Sequence, residues 1–223
     1  MTRDAVRAHK KRMDEKVRVL RNGMEFVVSR LRSMNIDLSK MNALEFGAKD
    51  GLGHAPALQK HVGSYEAWEI EESNRISLET NLPGARIVIG DGFDLAKERE
   101  REKTTYDLIV FDCPQNIFGR EGQYCDHMEA LELVRTLMSD EGVVVFNVKT
   151  KPYDFDQSPK WQARRNDYYQ MKDTANLTLG FVEAFYDLLF YRMDMGIQNR
   201  FVVPRPQEPN LFYVVYQLKR RST

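Results

Sequence analysis

Cysteine is scarce: Cys113 and Cys125 are the two in the chain, too few for a disulfide framework. The opening residues lack the apolar core of a secretory signal, and together these absences point to a reducing, cytoplasmic setting. No stretch approaches the roughly 18 consecutive apolar residues of a membrane helix, so a soluble protein without membrane partners is expected. Net charge is also missing. Lys plus Arg and Asp plus Glu stand at 33 each, so no global positive field draws in a nucleic-acid backbone, and a nucleic-acid partner is disfavoured. No internal repeat and no low-complexity segment stands out.

What is present is ordinary for a folded chain of 223 residues, 42% of them hydrophobic and 11% aromatic. Residues 1–22 hold eight basic side chains against three acidic ones, a solvated helix face or a seat for a phosphate-bearing partner. Val17, Leu20, Met24, Val27, Leu31 and Met34 follow at steps of three and four, the stripe of an amphipathic helix. Gly23 weakens or bends that helix. Residues 1–40 are therefore read as an N-terminal helical segment whose stripe covers a core edge or a partner subunit, which makes a homodimer through this helix a possibility to test.

From Met41 short apolar runs alternate with helical segments, the rhythm of a parallel sheet wrapped by helices. Strands are expected at Asn42 to Glu45, Tyr65 to Ile70, Ala85 to Ile89, Tyr106 to Phe111 and Gly142 to Val148. Phe181 to Met193 and Leu211 to Leu218 read as two further strands, an antiparallel pair closing one edge. The polar and aromatic segment Tyr153 to Lys172 follows the fifth strand, either as a substrate-covering insertion or as a surface helix. The expected architecture is a Rossmann-like doubly wound α/β domain over 41–223, a mostly parallel seven-stranded sheet ending in an antiparallel pair.

Chemistry concentrates at the strand ends. Ala43-Leu44-Glu45-Phe46-Gly47-Ala48-Lys49-Asp50-Gly51-Leu52-Gly53 carries a strand-end carboxylate into a glycine turn that lets backbone approach a ligand. A carboxylate there suits a cationic group better than a pyrophosphate. Glu69, twenty-two residues beyond Gly47, ends the second strand where an acid can accept from both hydroxyls of a ribose. Asp91, Gly92 and Phe93 follow the third strand, with a carboxylate for an adenine amino group and a ring to lie against the base. Asp112 ends the fourth, so four successive strands terminate in acids.

From about residue 41 to 218 the chain resembles the class I S-adenosylmethionine-dependent methyltransferases. Their acid and Gly-x-Gly-x-Gly turn correspond to Glu45, Gly47, Lys49 and Gly51, with Lys49 standing where the family has its middle glycine. The resemblance implies that Gly47, Ala48, Lys49, Asp50 and Gly51 wrap the methionine part of S-adenosylmethionine. Glu69 would take the ribose, Asp91, Gly92 and Phe93 the adenine, and Asp112 would lie close to the transferring methyl. The implied activity is methyl transfer to an acceptor that the charge balance suggests is a small molecule. In-line displacement from a sulfonium needs positioning first, and a base only where the acceptor must lose a proton. Asp112, Tyr124 and His127 are the candidates for that work, and Lys149 could orient an acidic substrate or be solvated. No metal-ligand set is assigned.

Asp112-Cys113-Pro114-Gln115 partly matches the Asp-Pro-Pro-Tyr type of motif of nucleic-acid amino-methylating enzymes, without the second proline or the stacking aromatic. Three alternatives stay open. A spermidine synthase-like aminopropyltransferase shares the fold and loosely matches Asp112 and the segment Gly122 to His127. A short-chain NAD(P)-dependent dehydrogenase would use Gly47-x-x-x-Gly51-x-Gly53 and the pair Tyr168-x-x-x-Lys172. A non-catalytic S-adenosylmethionine-binding protein would keep the site without turnover.

Overall fold

The computed structural model describes residues 3–112, 117–118, 124–152, 158–206 and 208–221. Strands β1 (Asn42–Phe46), β2 (Ser64–Glu69), β3 (Arg86–Ile89), β4 (Tyr106–Phe111), β7 (Met138–Lys149), β8 (Met195–Arg205) and β9 (Glu208–Arg220) form one sheet in the order β3-β2-β1-β4-β7-β9-β8. The first five run parallel, and β9 is antiparallel to both β7 and β8. A two-stranded ribbon, β5 (Ile117–Phe118) with β6 (Tyr124–Cys125), stands apart. The helices are α1 (Arg3–Ser33), α2 (Ala55–Gln59), α3 (Arg75–Asn81), α4 (Gly92–Glu102), α5 (Met128–Leu131), α6 (Val134–Leu137), α7 (Pro159–Tyr168) and α8 (Leu179–Arg192). This is the expected Rossmann-like doubly wound sheet with an antiparallel end.

The central strands are apolar on both faces because helices cover both. Leu44, Phe46, Ile109, Phe111, Val144 and Phe146 point into one core with Tyr186 and Phe190 of α8. Their neighbours Ala43, Ala67, Leu108, Val110, Val143 and Val145 point into the other with Met24, Val27, Val28 and Leu31 of α1. The period of two along each strand makes this division.

Two features differ from the sequence reading. Phe181 to Met193 lies almost wholly in helix α8, where Val182, Tyr186 and Phe190 are buried at steps of four and the Thr178 side chain caps the start by accepting from the Phe181 amide at 3.1 Å. The antiparallel pair is instead β8 and β9, the second of which contains Leu211 to Leu218. The α1 stripe from Met24 to Leu31 packs on the sheet of its own chain, so the apolar face that suggested a dimer is covered internally. Gly23 lets α1 approach the sheet, since a Cβ there would come within 3.0 Å of the Tyr213 ring and 3.2 Å of Pro206. Among the described residues no helix is long and apolar enough to cross a membrane.

Candidate functional site

The sheet order reverses between β1 and β4, and a cleft of about 1090 Å³ opens at their carboxyl ends. A parallel sheet offers its ligand crevice at that switch point. Glu45, Gly47, Ala48, Lys49, Asp50, Glu69, Asp91, Gly92, Phe93, Asp112 and Tyr124 all border it. Gly51 lies just behind, buried against Leu78 and Leu82.

The loop after β1 alternates through left-handed backbone at Gly47 (φ 76°), Lys49 (φ 55°) and Gly51 (φ 69°). Lys49 thus takes a left-handed conformation, at the steric cost any side chain meets there. The Gly47 and Ala48 amides donate to the Trp68 carbonyl at 3.0 and 2.9 Å, stitching the loop to β2. Glu69 completes the stitch. Its Oε2 accepts from the Lys49 amide at 2.6 Å and its Oε1 from the Glu71 amide at 2.9 Å, which orients the carboxylate while each oxygen keeps a second lone pair. Asp91 caps α4, its Oδ1 accepting from the Phe93 amide at 2.9 Å. The Phe93 ring stacks on Tyr124 with centroids 3.8 Å apart.

Beneath this loop lies a buried ion network. His54, at the start of α2, places Nδ1 2.6 Å from Asp112 Oδ2 and Nε2 3.1 Å from Glu45 Oε1. The second approach is a charge contact outside hydrogen-bond alignment, since Nε2 has no hydrogen-bond partner. Tyr65 donates its hydroxyl to Glu45. Asp112 Oδ1 accepts from Arg205 Nη1 at 3.0 Å and from the Asn147 side chain. The Arg205 guanidinium also sits 5.3 Å over the Tyr213 ring. Burial alone would lower the His54 pKa, but the two carboxylates push it up to about 10, so the imidazole is a cation at neutral pH. Burial would raise Asp112, yet Arg205 and His54 hold its carboxyl well below the usual carboxylate range.

That network removes Asp112 from the candidate bases: its oxygens are already engaged and its proton affinity is too low to take a proton near neutrality. His127 is also corrected. It is buried away from the cleft, its Nε2 2.5 Å from the Tyr186 hydroxyl and its ring 4.8 Å from Phe146, and burial with the nearby Arg165 charge pushes its pKa down to about 3. Tyr124 remains at the cleft. Lys149 is buried rather than solvated, 3.6 Å from Glu208, with burial lowering its pKa. The dehydrogenase pair does not form at the cleft. The Tyr168 hydroxyl is buried, its ring packed on Tyr169 and Phe185, and Lys172 is exposed. Cys113, Pro114, Gln115, Gly122 and the stretch 153–157 lie outside the described residues. Beyond 157 the Tyr153 to Lys172 segment forms α7, with Trp161 and Arg165 buried and Arg165 donating to the Lys149 carbonyl. Among the described residues no group of three or more His, Cys, Asp or Glu could hold a metal ion.

Sequence reasoning missed His54, Asn147, Arg205 and Glu208. His54 directly follows the glycine turn and could have been noticed; the others come from β7 to β9 and carry no local signal.

No protein-family model matches the sequence, and no curated protein matches it. Solved structures match its fold, and the three described next are each named as putative. A SAM-dependent methyltransferase from Streptococcus mutans is 14% identical with a TM-score of 0.52, over 84% of this chain and 48% of that one. An RNA methyltransferase from Pyrococcus horikoshii is 10% identical with a TM-score of 0.53, over 90% and 85%. A hemolysin from Streptococcus thermophilus is 13% identical with a TM-score of 0.56, over 91% and 67%. The chain spans about half the length of the Streptococcus mutans protein. At such identities the likeness establishes architecture: the chain has the fold of class I S-adenosylmethionine-dependent methyltransferases.

Proposed function

We propose that the chain binds S-adenosylmethionine in the cleft after β1 and transfers its methyl group to a small-molecule acceptor. The observation that carries this reading is the gathering of the glycine loop, Glu69, Asp91 and Phe93 around one crevice at the switch point. The residues fit the ligand's parts. Glu69 is fixed by two amides with lone pairs remaining for ribose hydroxyls, Asp91 keeps Oδ2 for an adenine amino group, and the loop presents backbone to the methionine portion.

The bound cofactor supplies a methyl group activated by its sulfonium. The chain's task is to position the acceptor and keep water out. Glu45 departs from the implied arrangement, since its carboxylate is engaged by Tyr65 and faces His54. Its contribution to binding is to anchor the loop from beneath. Tyr124, stacked on Phe93, is the cleft hydroxyl that could orient an acceptor. RNA belongs among the acceptors to be assayed, because α1 brings Lys16 to the cleft and one structural neighbour is named a putative RNA methyltransferase.

Calorimetric titration with S-adenosylmethionine, S-adenosylhomocysteine and NADPH tests the reading. The adenosyl ligands bind and NADPH does not, and Glu69→Ala weakens adenosyl binding roughly 10- to 100-fold, the range for losing hydrogen bonds to a charged acceptor. Binding of NADPH alone would sink the proposal.

A further inference from the structure

Beyond Asp112 the cleft continues to the ends of β7, β8 and β9, where Lys149, Arg205, Glu208 and Leu211 border it. Lys149 and Arg205 are both more than nine-tenths buried, and the Arg205 charge acts on Lys149 as a like charge that lowers its pKa. Glu208 is their shared counter-ion, 3.6 Å from Lys149, yet its side chain is about a third exposed, which weakens its hold. Arg205 Nε is buried without a hydrogen-bond partner on a side chain that lines the cleft, while His54 Nε2 faces Glu45 Oε1 at 3.1 Å. Buried N–H donors on cations are costly to leave unmatched, and such exceptions call for a cause.

The acids here offer a ligand little. Asp112 accepts from Arg205 and Asn147 and contacts His54, and Glu45 accepts from Tyr65 beside the same imidazole. A cationic acceptor such as a polyamine would meet carboxylates already engaged by buried donors, whereas an oxyanion can displace the part-exposed Glu208, 3.6 Å from Lys149.

On the basis of the methyltransferase reading, we propose that the Lys149–Arg205 corner is an acceptor subsite for an oxyanion, the carboxylate or phosphate group of a small methyl acceptor. The Arg205 guanidinium supplies the hydrogen bond and the Lys149 ammonium the charge. Glu208 holds the two cations in place until the acceptor's anion competes for them.

Benzoate, phenyl phosphate and neutral benzamide, titrated by calorimetry with and without saturating S-adenosylhomocysteine, test the subsite on the full chain. At least one anion binds and benzamide does not; which anion binds distinguishes carboxylate from phosphate acceptors. Lys149→Met weakens anion binding about tenfold or more and leaves S-adenosylhomocysteine affinity unchanged. Glu208→Gln removes the competing carboxylate and tightens anion binding severalfold, a gain that misfolding cannot mimic. Benzamide binding as well as benzoate, anion binding unaltered by both substitutions, or no anion binding at all would overturn the subsite. Loss of S-adenosylhomocysteine affinity in Lys149→Met would assign the corner to the cofactor instead. Failure of the adenosyl ligand on the wild-type chain with anion binding intact would remove the methyltransferase reading and leave an anion site.

Discussion

Gly92 is required for a reason independent of any ligand: a Cβ at that position would overlap the Phe46 ring. Phe46 in turn packs against Trp68, Phe93 and Phe111, so it cannot swing aside without disturbing its neighbours. Gly92→Ala is therefore expected to lower the unfolding free energy by roughly 1–3 kcal/mol in the absence of ligand, measured by urea denaturation. An unchanged midpoint would mean that Phe46 relocates freely. Glu69 and Asp91 were legible in the sequence because a strand end, a glycine turn and a fixed spacing are local features. Arg205 was not, since it reaches Asp112 across 93 residues and only the β8 to β9 turn delivers it. His127 misled for the converse reason: nearness to Asp112 in sequence placed it in the site, while the short helices after β6 direct it into the aromatic core.

The five parallel strands were read correctly because each is a short apolar run bounded by turn residues. Helix α8 was misread on composition. Its run Leu179–Arg192 is rich in Phe and Tyr, but the buried set Val182, Tyr186 and Phe190 recurs every four residues while Leu188 and Tyr191 are exposed, a helical pattern that outranks β propensity. Helix α1 has two sections with different surroundings. From Met24 onward it is core, while Met13, Lys16, Val17 and Leu20 lie one and two turns apart along the cleft. Gly23 sits at the junction against Tyr213 and Pro206. Gly23→Val would wedge α1 off the sheet, with an expected loss of about 1–3 kcal/mol read by thermal or urea unfolding. A variant as stable as wild type would show that the close approach of α1 to β9 is dispensable.

For the whole molecule, two buried histidines set opposite limbs of the pH dependence. His54 has its pKa raised from 6.5 to about 10 in the folded chain, so its stabilisation is complete below pH 6.5 and is lost as pH rises towards 10. His127 has its pKa lowered from 6.5 to about 3, so the folded state is favoured above 6.5 and loses ground as pH falls towards 3. Denaturant unfolding at about pH 5, 7 and 9 is expected to show His54→Gln flattening the alkaline limb and His127→Gln flattening the acid limb. Limbs unchanged by the matching substitution would refute the assignment. The place of β9 between β7 and β8 has a consequence during synthesis. The ribosome releases β8 first, yet β8 joins the sheet only through β9, so until β9 emerges β7 presents its Val143 to Val148 edge unpaired. Chains stalled short of β9 carry an open strand edge together with an unfinished cleft, a form in which edge-to-edge pairing with another chain is exposed.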